Sequence, residues 1–167
     1  MIGEKIEWSG QVLEADLENS EHQEIVLNMV RAFARDSMGN GQDLSQESRE
    51  MLIDGLRRHP AVSVFIAFNE KKPLGFATCF LGFSTFTARP LLNIHDFYVG
   101  DEYRGRGVGR HILHAIENKA RALGCCKLTL EVQENNQTAL SLYHRFGFEE
   151  AQYDAGAGAV LFRQKKL

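Results

Sequence analysis

Glycines interleaved with arginines form the segment of this chain whose residue types add up to an anion site: Arg104-Gly105-Arg106-Gly107-Val108-Gly109, with Arg110 next. It follows the apolar run Ile94-His95-Asp96-Phe97-Tyr98-Val99 and opens a helix-periodic stretch through Ile112, Leu113, Ile116, Ala120 and Leu123. The order strand, loop, helix suits a phosphate, because the first helical turn has unpaired N–H groups at the positive end of its dipole. Glycines let that backbone come close, and arginines add charge-assisted donors that a purely structural turn would not need. Asp96 is the second notable residue. A charge inside an apolar strand needs a reason, either chemistry or a bond to backbone at a strand bulge, and the residues leave both open.

Two other phosphate loops compete for this reading. A dinucleotide fingerprint counted from Gly105 would need its third glycine where Arg110 stands, and four residues separate Gly100 from Gly105. Glu131 lies at about the distance expected of the ribose-binding acid, so that rival is weakened without being eliminated. A Walker loop is excluded, since no Gly-Lys-Ser/Thr occurs.

These residues resemble the GNAT superfamily of N-acetyltransferases, whose cofactor loop reads Arg/Gln-x-x-Gly-x-Gly/Ala after a strand ending in an apolar-x-Val pattern, here Phe97-Tyr98-Val99. A second stretch resembles the family independently. Leu130-Glu131-Val132-Gln133-Glu134-Asn135-Asn136-Gln137-Thr138-Ala139-Leu140-Ser141-Leu142-Tyr143 and the exit Gly147-Phe148 look like its strand, Asn-x-x-Ala-x-x-Leu-Tyr helix and Gly-Phe turn. The motif-level likeness covers about a third of the chain.

The resemblance implies an α/β fold: a mixed, strongly twisted sheet of six to seven strands with about four helices, in which two parallel strands splay apart to form the cofactor cleft. It implies acetyl-CoA as cofactor and no metal. The pantetheine arm would bond the backbone of Phe97, Tyr98 and Val99. The pyrophosphate would lie on Arg104, Gly105, Arg106, Gly107, Val108, Gly109 and Arg110. Asn136 would hold the cofactor arm, cap the last helix, or do both. The implied reaction is direct attack of a primary amine on the thioester, with no covalent enzyme intermediate. A non-catalytic acyl-CoA-binding or sensor module is the alternative.

An alkyl amine, with a pKa of about 10.4, is mostly protonated at neutral pH, so a carboxylate near the cleft would accept its proton directly or through water. Asp96 is the first candidate, placed where polyamine-type members carry a carboxylate. His95 lies on the opposite face by strand alternation, and Glu131 is the reserve. Tyr143 matches the family's tyrosine that protonates the departing thiolate.

Composition sets outer limits. At 167 residues one domain, 1–167, is the default, large enough to bury a core. A net charge of -3 and the absence of a basic run argue against a nucleic-acid partner. No apolar stretch is long enough to span a bilayer and Met1-Ile2-Gly3-Glu4-Lys5 lacks a secretory core, which leads to the expectation of a soluble cytoplasmic protein with no membrane partner. Cys79, Cys125 and Cys126 make no Cys-x-x-Cys pair and are expected to be reduced and structural. His111 and His114 share a helical face without a third ligand at suggestive spacing.

The first half is less specific. Lys5 to Ala15 is a weak strand, and Glu21 to Ser37 a helix with Ile25, Val26, Met29, Val30 and Phe33 inward and Ser20 as N-cap. Met38-Gly39-Asn40-Gly41-Gln42-Asp43 is a loop before a helix that starts near Ser45 and ends near Arg58; by the resemblance it is a substrate lid, by loop length a connector. Val62–Phe68 and Leu74–Phe83 form a hairpin, and Ser84–Pro90 either lines the acceptor pocket or packs to close the sheet, the second being preferred. Two short strands are expected at Glu149–Tyr153 and Ala159–Arg163. The acceptor is left as a small cationic amine, which Asp36, Asp43 and Glu47 favour, or a peptide or protein amine. Homodimers are common in the resembled family.

Overall fold

Alternating apolar residues build a central sheet that helices cover on both faces. The computed structural model describes residue 8, residues 10–151 and residues 162–165. The strands β1 (Gln11–Glu14), β2 (Val62–Asn69), β3 (Lys72–Ser84), β4 (Arg89–Val99) and β5 (Leu128–Leu130) lie in sequence order across one sheet. The first four are antiparallel neighbours, and β5 joins β4 in parallel. Four α-helices accompany them among the described residues: α1 (Ser20–Arg35), α2 (Gln46–Arg58), α3 (Val108–Ala122) and α4 (Gln137–Phe146).

This is the mixed, helix-flanked sheet expected, with five strands among the described residues where six to seven were expected. The two strands expected after Phe148 fall largely outside the described residues, and residues 149–151 and 162–163 are irregular. The N-terminal strand is shorter than Lys5 to Ala15 at its described end, and its first residues also lie outside.

Each face of the sheet has its own core. Ile112, Leu113, Ile116 and Ala120 recur at helical spacing on α3 and pack with Ala77, Cys79, Leu92, Ile94 and Val99 on one side. On the other, Val26 and Leu56, from α1 and α2, cover Val64, Ile66, Phe68 and Phe76. A buried side chain such as Phe76 or Ile66 contributes on the order of 1.5–3 kcal/mol.

Helix starts follow local chemistry. Asn19, rather than the expected Ser20, caps α1 by accepting from the N–H groups of Glu21 and His22 at 2.8 and 3.3 Å. Ser45 caps α2 through Ser48 N–H at 3.1 Å, and Asn136 caps α4 through Ala139 N–H at 3.1 Å. The turn between β3 and β4 does not pack as expected: Phe86 is 88% exposed and Phe83 is also exposed.

Two irregularities of β4 position the site. Pairing with β5 runs Leu92 to Leu128, Asn93 to Thr129 and Ile94 to Leu130, and β5 ends there while β4 continues to Val99. The parallel pair therefore parts, as expected, just beyond Ile94 and Leu130. On the β3 side Thr78 faces Asp96 while the next residue, Cys79, faces Ile94, so His95 is an extra residue in a bulge.

Candidate active site

The parting of β4 and β5 opens a cleft of about 1150 Å³, walled by the end of α1 and its following loop, β4 beyond Ile94, the glycine loop, β5 beyond Leu130 and α4. The loop owes its shape to Gly105 and Gly107, at φ 72° and 89°, a left-handed backbone that other residues adopt only with strain. Gly107 is the N-cap of α3 and offers no side-chain acceptor, so no side chain caps the first-turn N–H groups beside the cleft. That is the fit a pyrophosphate requires.

The arginines divide. Arg106 is exposed beside the cleft, with no ion pair for its guanidinium among the described residues. Arg104 is committed: it donates from Nε to Val99 O at 2.9 Å and from Nη2 to Asp36 Oδ2 at 2.7 Å, and Nη1 lies 2.7 Å from Asp101 Oδ1. Arg110 lines the cleft and already has an interaction of its own. Gly105, Gly107 and Gly109 line it too, whereas Val108 turns its side chain into the core. Phe97, Tyr98 and Val99 form the β4 wall, where the strand has no β5 partner.

Tyr143 stands on the opposite wall, 7% exposed. Edge-on contacts fix its ring, with centroids 5.8 Å from Phe97 and 5.6 Å from Phe148. Its hydroxyl makes no hydrogen bond among the described residues, and burial pushes the phenol well above its ordinary pKa. It is a proton-bearing donor at any physiological pH. Asn136, spent on capping α4, lines the cleft as well, so the capping role is the one seen.

Asp96 does not line the cleft. It shares the α1–α2 face of β4 with Tyr98, and burial pushes its carboxyl up while His95 and Thr78 pull the other way. The residues that reach the cleft are His95, exposed on the bulge with its ring 5.4 Å from that of Phe80, and Glu131, exposed and without an ion pair among the described residues. They are the first residues past the last bonded pair, one on each strand. Which neighbour would face the cleft depends on the bulge, and no residue type in the sequence marks it.

Sequence reasoning also missed Phe33 and Ser37 as wall residues. Of the three carboxylates expected near the acceptor, only Asp36 lines the cleft, and Arg104 neutralises it. Asp43 is held by Arg31 and Arg35, the first of which draws its carboxyl far below the usual range. Cys79 is fully buried, its thiol pushed up to about 12, and no cysteine lines the cleft. No cluster of metal-binding side chains occurs among the described residues, and no helix among them is long and apolar enough to cross a membrane.

Comparison with known proteins matches this arrangement. Over residues 27–148 the chain fits the model of the acetyltransferase (GNAT) family. It is 26% identical over 134 residues to thialysine N-epsilon-acetyltransferase of Bos taurus, covering 75% of this chain and 77% of that one. An uncharacterized N-acetyltransferase of Bacillus subtilis (strain 168), YycN, is 44% identical over 57 residues, a match that spans only 36% of that relative's length and 34% of this chain. Among solved structures, an aminoglycoside acetyltransferase from an uncultured soil metagenomic sample, in complex with sisomicin, superposes with a TM-score of 0.75 over 95% of this chain and 96% of that one, at 16% identity. Fold, loop and family model thus coincide, and the chain belongs to the acetyltransferase (GNAT) family and is an N-acetyltransferase.

Proposed function

We propose that the protein transfers the acetyl group of acetyl-CoA directly to a primary amine held in the same cleft, the acceptor being a small cationic amine or a peptide or protein amine. The observation that carries this reading is the continuity of the cleft, which runs from the uncapped start of α3, past the unpaired edge of β4, to Tyr143 and the end of α1. Backbone N–H groups of Arg104–Gly109 and the Arg106 guanidinium would hold the pyrophosphate, and Phe97–Val99 the pantetheine arm. Bound acetyl-CoA supplies an acyl group already activated as a thioester.

The chain's own residues then handle charge and protons. Tyr143, kept protonated by burial, donates to the sulfur as negative charge builds there. A phenol above its usual value of about 10 gives its proton reluctantly to a thiolate of about 8.5, so its help is a strong hydrogen bond more than a complete transfer. Before attack, the acceptor ammonium must lose a proton. His95 and Glu131, at the point where the strands part, receive it, and Asp96 takes part through His95 or a water. Glu131, unpaired, also favours a cationic acceptor.

The deciding experiment measures free-thiol release from acetyl-CoA with pooled polyamines, aminoglycosides, amino acids and short peptides, beside the change in Tm on adding acetyl-CoA. Release in one pool is the expected result. Thermal protection without release in any pool would indicate an acyl-CoA sensor, and no protection would remove acetyl-CoA from the reading.

A further inference from the structure

The acceptor wall and the glycine loop are joined by side chains that the acyl-transfer reading leaves unused. α1 ends at Arg35, and Asp36, its C-cap, points a nearly buried carboxylate, 8% exposed, toward the glycine loop. One oxygen accepts from Met38 N–H at 2.8 Å, and the other accepts from Arg104 Nη2 at 2.7 Å. Burial opposes ionisation of this carboxyl, yet those two donors hold its pKa below the ordinary range. From the far wall, Gln133 Nε2 donates to Met38 O at 3.1 Å. The other end of the loop is fixed by Asp43, which accepts from Arg31 at 2.7 Å and Arg35 at 3.1 Å. Asp36, Ser37 and Met38 therefore cross the mouth of the cleft, tied to both walls.

We propose that Arg104 is a positioning residue: through Asp36 it fixes residues 36–38 as the acceptor-side wall, so that this ion pair sets acceptor affinity while phosphate binding falls to the loop backbone and Arg106. The assignment of the loop to the cofactor rests on the acetyl-CoA reading; the tie itself does not. Each nitrogen of the Arg104 guanidinium already has an acceptor, and its Cζ lies 5.7 Å from the centroid of the Tyr98 ring. Turning it to a phosphate would strip a nearly buried carboxylate of its charged partner, which is costly. Arg106 carries no such debt and is free to meet an anion.

Hydrogen exchange of the Met38–Gln42 amides and CoA binding, read by Tm against CoA concentration, test this on the wild type, D36N, R104Q, R106Q and the D36N/R104Q pair. Asn at 36 keeps an acceptor for Met38 N–H, and Gln at 104 keeps a donor for Val99 O. D36N and R104Q should each speed exchange of those amides by about tenfold, and the pair by no more than either alone, as members of one interaction do. CoA half-saturation should move less than about threefold in both, and about tenfold in R106Q. With whichever amine pool supports thiol release, D36N should raise the half-saturating amine concentration about tenfold and leave the maximal rate within about threefold. Unchanged exchange in R104Q together with tenfold weaker CoA binding would make Arg104 a phosphate ligand and overturn the proposal. So would an unaltered amine requirement in D36N. If CoA fails to protect the wild type, the acetyl-CoA reading fails, and the exchange data still decide whether the tie exists.

Discussion

The two walls of the cleft are built by different means. The wall proposed for the cofactor, from β4 through the glycine loop and α3 to α4, is made of backbone: left-handed glycines, an uncapped helix start and a strand edge without a partner. The wall proposed for the acceptor, from the end of α1 across its loop, is held by side chains: Asp36 by Arg104, the Met38 carbonyl by Gln133, Asp43 by Arg31 and Arg35. A backbone site recognises what every cofactor of one class shares, while a side-chain site can change with a few substitutions and leave the fold intact. The first wall should therefore tolerate little and decide whether the chain works. The second should tolerate more and decide on what.

The largest break should come where the walls meet. Replacing His95 and Glu131 together by Gln removes both proton acceptors at the parting of the strands, and turnover should fall by about a hundredfold or more, the range of general base catalysis. CoA binding should be preserved. A double variant with wild-type turnover would send the ammonium proton to bulk water or to Asp96. Next in size is Tyr143→Phe, expected to lower turnover by about tenfold to a hundredfold, at or below the general-acid range. Because burial raises the phenol, Tyr143 stays protonated on the alkaline side, and the wild-type rate should show no loss assignable to it up to about pH 10. An alkaline decline below that pH that disappears in Tyr143→Phe would contradict this.

Gly107→Val probes the backbone wall alone. A β-branched residue at φ 89° costs about 1–2 kcal/mol and strains a loop that lines the cleft. Binding of CoA should weaken about tenfold or more, with Tm lower by several degrees. An unchanged CoA response would mean that the loop does not hold the phosphates.

The contrast between the walls is also a contrast in legibility. α3 and α4 could be read because their signals are local: glycines before one, Asn136 before the other, apolar residues at helical spacing within both. The strand that feeds the loop was equally clear. The tie from Asp36 to Arg104 spans 68 residues and depends on two charged side chains of ordinary appearance, so nothing short of the fold could pair them. The β3–β4 turn departs from expectation for a related reason, since aromatic residues favour burial on average but Phe86 sits at a hairpin tip beyond the reach of either core. Asp96 shows the finest limit. Alternation predicts opposite faces for it and His95, but the bulge turns both toward the α1–α2 side, His95 against Phe80 and Asp96 on the face of Tyr98.

Asp96 also gives the smallest and most discriminating test. Its carboxyl titrates above its ordinary value because burial penalises the charged form, against the pull of His95 and Thr78. The folded state therefore holds this proton more tightly than the unfolded chain does. The stability that follows is fully present below the unfolded value of about 3.9 and is lost as pH rises through the folded value, above which the ionised side chain is a net cost. Asp96→Asn removes the charge while keeping the shape. Its Tm at pH 7 should match or exceed the wild type by a few degrees at most, and the difference should shrink as pH falls toward 4. Turnover should drop less than in the His95 and Glu131 double variant, because Asp96 reaches the cleft only through its neighbour. A lower Tm at pH 7 would instead make the ionised carboxylate a stabilising partner of His95, and a loss of turnover equal to the double variant's would return to Asp96 the role of proton acceptor.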